Sequence, residues 1–155
     1  MKHLLTALLF TTILFSCKKS SDDNNNNNQQ KSKTTLLTQA PWYHTLVQKR
    51  SSPSDPWETN NFSMQPCGMD DIFTFGSTGS YLWDDGATDC GTSPQTLESG
   101  TWVFANNETH MTVTLTNTPG VTPVQDWTIE QLDENTLIYS YYFATGPYYR
   151  KTMAH

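Results

Sequence analysis

Basic side chains are scarce in this 155-residue chain once its first segments are passed. From residue 36 onward it carries four, Lys49, Arg50, Arg150 and Lys151, against 13 acidic ones, a formal charge of −9. That balance argues against a nucleic-acid partner, whose affinity rests on neutralised phosphates, and against a domain lying on anionic lipid. Histidine is equally thin: beyond residue 16 only His44, His110 and His155 remain, none inside a recognisable catalytic motif. The "GSTGS" stretch at residues 76–80 lacks the G-x-S-x-G spacing of a nucleophile elbow and sits between two strand-like runs. No catalytic residues are assigned, so the expectation is a protein that is not an enzyme. Also missing are a sustained helical period after residue 36 and any apolar run of the ~20 residues a membrane-spanning helix needs.

The longest apolar run is short and lies at the start. "MKHLLTALLFTTILFSC" places Lys2 before a mostly apolar stretch over residues 4–15, the pattern of a secretory signal. Its end, "LFSC", resembles the lipobox of bacterial lipoproteins, with small Ser16 before the cysteine that receives lipid. Residues 1–16 are therefore read as a lipoprotein signal peptide and Cys17 as the lipidation site. Acyl chains there would anchor the protein at about 0.8 kcal/mol per buried CH₂. Residues 18–35, "KKSSDDNNNNNQQKSKTT", contain no apolar side chain and cannot offset the entropy of ordering. With Cys17 they form a polar tether spanning roughly 20–25 Å by coil statistics. Asp22 and Asp23 resemble the acidic surface-export signal of Bacteroidetes lipoproteins. The implied location is the outer membrane, on the cell surface or the periplasmic face.

Residues 36–155 read as one all-β domain. Eight short alternating runs are separated by Gly, Pro, Asn and Asp: "WYHTLVQKR", "DIFTF", "SYLWD", "GTWVFA", "HMTVTLT", "QDWTIEQL", "NTLIYSYYF" and "PYYRKTMA". In the fifth, Met111, Val113 and Leu115 share one face; in the sixth, Trp127 and Ile129 oppose Asp126, Thr128 and Glu130. Short turns between consecutive strands predict an eight-stranded antiparallel up-and-down β-barrel, with a two-sheet sandwich as the alternative. Residues 51–69 are too rich in Pro and Asn for regular structure and predict a long loop across one end.

The succession "LLTQAPWYHTLV", "CGMDDIFTFGSTGSYLWDDGATDCG", "ESGTWVF", "MTVTLT" and "WTIEQLDENTLIYSYY" resembles the lipocalin-like domain of Bacteroidetes lipoproteins, over nearly all of residues 36–155. The resemblance implies a small calycin-like barrel with room for an apolar cavity and says little about chemistry. Classical lipocalins open on G-x-W, whereas this chain has Ala40-Pro41-Trp42, so only the tryptophan matches. Those proteins lay an arginine over that tryptophan. Arg150 is the matching residue, and a Trp42–Arg150 cation–π pair at the barrel base is the expectation.

Three cysteines complete the inventory. With Cys17 given to lipid, Cys67 and Cys90 remain, emerging beyond the same end of the predicted hairpin in an oxidising compartment. A disulfide there closes 24 residues, worth about 3.4 kcal/mol in the chain-entropy model. The aspartates around it lack EF-hand spacing and read as solvated turn residues; no metal or cofactor is implied. Phe73, Phe75, Tyr81, Trp83, Trp102, Phe104, Trp127, Tyr139, Tyr141 and Phe143 are the candidate lining of the interior, as filled core or as the wall of a ligand cavity. Tyr141, Tyr142, Tyr148 and Tyr149 could instead make an outer patch for a protein or glycan. The expected function is non-enzymatic binding of a small apolar or amphipathic molecule by a membrane-anchored protein. The alternative is a surface protein- or glycan-interaction module with a filled barrel and working loops.

Overall fold

A computed structural model describes residues 30–88, 91, 96–116, 123–143 and 146–155. The signal segment, Cys17, residues 18–29 of the tether and Cys90 lie outside the described residues. Ser32 caps a short helix, α1 (Lys33–Thr38), by accepting the Thr35 backbone N–H at 3.1 Å. Strands β1 (Tyr43–Arg50) and β2 (Glu58–Thr59) precede a one-turn helix, α2 (Pro66–Met69). Seven strands follow: β3 (Ile72–Phe75), β4 (Ser80–Asp84), β5 (Thr96–Ala105), β6 (His110–Leu115), β7 (Val124–Leu132), β8 (Thr136–Tyr142) and β9 (Tyr148–Ala154).

All the described strands join one antiparallel sheet in the order β2-β1-β9-β8-β7-β6-β5-β4-β3. The eight runs read from sequence are eight of these nine. The ninth, β2, falls inside the segment expected to be irregular: Glu58 and Thr59 pair with Lys49 and Gln48. Helix α1 takes in Lys33–Thr35, which composition alone places in the tether, because Leu36 and Leu37 are buried and draw the preceding turn into order.

The sheet curls strongly. Lys151 of β9 lies 4.6 Å from the Trp83 ring of β4, and Phe75 of β3 lies 6.3 Å from Trp127 of β7. Those strands are several places apart in a sheet whose neighbours are spaced about 4.8 Å, so a flat ribbon would hold the side chains far apart. Closure, however, is not a ladder. Among the described residues a single isolated bridge, Trp42 to Phe73, joins the β1 end to β3, through N–H···O bonds of 2.8 and 3.0 Å. The expected closed eight-stranded barrel is thus corrected to a nine-stranded curled sheet that does not close. The reason is length: β3 has four residues, and α2 and the β2 segment occupy the ground beside β1 where a longer β3 would pair.

Alternation places the core as read. Met111, Val113 and Leu115 are buried in β6, while Trp127 in β7 is buried between outward Asp126 and Thr128. Gly100 permits the close approach of β5 to β6, since a Cβ there would strike the Thr114 carbonyl. Gly79, at φ +89°, supplies the left-handed residue of the β3–β4 turn.

Candidate functional site

The inner face is aromatic over most of its extent and ionic at one end. Trp127 and Tyr139 stack with centroids 4.1 Å apart. Phe75 and Tyr81 meet Trp127 edge-on, and Trp102 packs against Phe75 and Phe104. Tyr141 touches both Tyr139 and Phe143. Of the ten aromatic side chains singled out in the sequence, Phe73 stacks on Trp83 and only Trp83 reaches the large apolar cavity described below. The others fill the interior by packing on one another.

The tyrosine cluster divides by strand parity. Tyr141 and Tyr149 stack on the inner side at 5.6 Å, whereas Tyr142 and Tyr148 meet at 5.5 Å outside. The Trp42–Arg150 pair does not form. Arg150 sits opposite Gln48, six residues along from Trp42 and about 20 Å by strand rise. Its Nε donates to Glu130 at 2.7 Å and its guanidinium also reaches Gln48. Trp42 instead donates from Nε1 to the Leu37 carbonyl at 2.9 Å and packs its ring on His155 at 3.8 Å. Cys67, in α2, is disulfide-bonded, and its expected partner Cys90 lies outside the described residues.

Four ionisable side chains that the sequence reading assigned to no site share the inner face beside Trp83. They are His44 of β1, Asp71 just before β3, Glu98 of β5 and Lys151 of β9. His44, Asp71 and Lys151 are 4%, 4% and 7% exposed, so Asp71 is no solvated turn residue. Asp70, by contrast, does serve a turn, accepting the Thr88 N–H at 2.8 Å. Asp71 Oδ2 accepts from Trp83 Nε1 at 2.9 Å, while its Oδ1 is buried with no hydrogen-bond partner. Glu98 accepts from the Tyr81 hydroxyl at 3.2 Å. Lys151 Nζ lies over the rings of Trp83, Phe73 and Tyr141 at 4.6, 5.1 and 5.9 Å. It makes no salt bridge among the described residues.

Burial governs the protonation of all four. It lowers the Lys151 ammonium to about 8, against the pull of Glu98 and Asp71. It raises Asp71 to about 6, with the Trp83 hydrogen bond opposing. Glu98 is raised by burial against Lys151 and Tyr81. His44 is pushed down to about 2 by burial and then by Lys151. It is therefore neutral, and because the Gly68 carbonyl at 3.3 Å can only accept, Nδ1 carries the hydrogen. Its buried Nε2 is then an unused acceptor.

These groups line a cavity of about 380 Å³, together with Trp83, Asp85 and Leu97. The long segment between β1 and β3 supplies the remaining wall through Phe62, Ser63 and Gly68, and Phe62 is 83% exposed at its rim. An apolar pocket with a few convergent polar groups of shifted pKa is the ordinary form of a small-molecule site. No protein-family model matches the chain, and no curated protein matches it. Among the described residues, no three His, Cys, Asp or Glu side chains gather as a metal-holding set. Lys151 and Glu98 were nevertheless legible as inward residues: they share the two-residue period of Tyr149 and Met153, and of Trp102 and Phe104, respectively.

Proposed function

We propose that this protein binds one small amphipathic molecule, without turning it over, in the cavity beside Trp83 and Lys151. In this reading the curled, unclosed sheet is a lipocalin-like domain, tethered to the outer membrane through lipid on Cys17. The observation that carries it is the cavity: about 380 Å³ beside Phe62, Trp83 and Leu97 with three buried ionisable groups aimed at one end. A purely structural interior would have little use for a lysine and an aspartate there, because buried charge is costly without direct pairing.

A neutral apolar fluorophore such as N-phenyl-1-naphthylamine should bind saturably at one molecule per chain, seen by its emission and by native mass spectrometry. Trp83→Ala should weaken it roughly tenfold, the loss of about 1.4 kcal/mol of contact. Absence of saturable binding would overturn the reading. A specific observation favours a second one: on the outer face Arg50 lies over Trp57 at 4.2 Å and Tyr148 at 5.4 Å, beside exposed Tyr142. Binding indifferent to Trp83→Ala but abolished by Tyr142→Ala would move the site there. For the anchor, Cys17→Ser is expected to shift the protein from the membrane to the soluble fraction, and retention in the membrane would count against lipidation.

A further inference from the structure

We propose that the ligand presents an aldehyde carbonyl to the cavity and that Lys151 holds it as a reversible imine, an inference resting on the cavity being a ligand site. The geometry selects against other head groups. Lys151 Nζ is inward, caged by Trp83, Phe73 and Tyr141, and without a direct salt bridge among the described residues. The groups that face it come from every side. They are Glu98 of β5, Asp71 ahead of β3, His44 of β1 and Tyr141 of β8, with Asp85, just after β4, on the wall of the same cavity.

An anionic head group would meet three carboxyl side chains, Asp71, Asp85 and Glu98, and a cationic one would meet the Lys151 ammonium. A neutral electrophile meets neither penalty. Desolvation is also what makes a lysine nucleophilic. With its ammonium lowered to about 8, roughly a tenth of Lys151 is free amine at pH 7.

The step balances without any further reagent. Neutral Nζ adds to the carbonyl carbon, and the oxygen takes up a proton to give a carbinolamine. The carbon–oxygen bond then breaks, water leaves, and a protonated imine remains, so that aldehyde and ammonium give iminium and water. Asp71, raised to about 6 and with Oδ1 unpaired, is placed to pass the proton. The iminium keeps the positive charge that the ring faces and the carboxyl groups already surround.

The test uses the full chain with cinnamaldehyde and sodium cyanoborohydride, followed by peptide mapping. Reduced adduct should accumulate on Lys151 at least tenfold faster than on exposed Lys31 and Lys49, with a rate that rises around pH 8. Lys151→Arg, which keeps the charge, should lose that adduct alone. If cinnamaldehyde quenches tryptophan emission saturably but labels only the exposed lysines, the imine is overturned and the binding cavity stands. If it neither quenches saturably nor labels Lys151, both fall.

Discussion

Trp127→Ala is expected to cost about 3–5 kcal/mol, the range for removing a large aromatic side chain from a packed core. A domain of this size has a total stability of roughly 5–15 kcal/mol, so the variant should approach or pass the point of unfolding at physiological temperature. Trp127 is 2% exposed and stands where several strands meet. Its ring stacks on Tyr139, receives Phe75 and Tyr81 edge-on from the far side of the curl, and lies 5.9 Å from Tyr141. Its Nε1 donates to the side-chain oxygen of buried Gln125 at 2.8 Å, so truncation also strands an amide. Urea unfolding of both proteins measures the loss. A cost below about 1 kcal/mol would mean that this ring does not hold the two sides of the sheet together.

The second large effect is a reversal in pH dependence between two variants. The folded state lowers His44 from 6.5 to about 2, so below pH 6.5 the unfolded chain takes up a proton that the folded one refuses. Stability from this group is lost as pH falls. Asp71 is raised from 3.8 to about 6, so between those values the folded state binds the extra proton, and stability is lost as pH rises. From about pH 4 to 6 the two oppose each other, each with a limiting slope of about 1.4 kcal/mol per pH unit. His44→Phe should therefore gain stability relative to the parent as pH falls through this window, and Asp71→Asn should lose it. Urea midpoints at about pH 4, 5 and 6 decide the matter. Parallel profiles for the three proteins would show that neither group is buried in the state described.

Most of the strand framework was legible because alternation is a local property. Met111, Val113 and Leu115 against the threonines of β6 require no knowledge of any other strand. What was missed depends on parity carried one step further or on contacts distant in sequence. Applied to β9, the same period puts Lys151 inward and Arg150 outward, which places the lysine in the core and removes the arginine from Trp42. The aromatics, read as filled core or cavity wall, fill the interior by meeting across the curl and leave the space beside charged side chains, a division that no single strand encodes. β2, at two residues, and α1, at six, are too short for any period to register. The pKa shifts of Asp71 and Lys151 arise from burial created by several strands at once, and nothing local announces them.

Among the described residues every strand pairing but one joins neighbours in sequence. The exception is β1 with β9, alongside which the His155 ring bonds the Pro41 carbonyl across 114 positions at 2.8 Å. By loop-closure scaling, joining ends so far apart costs about 2 kcal/mol more than closing a ten-residue hairpin. The hairpins from β3 to β9 can therefore zip locally, each making the next cheaper, while the seam at β1 carries most of the topological entropy. It is the pairing that raises the contact order above that of a plain run of hairpins, and the step expected to form late in folding.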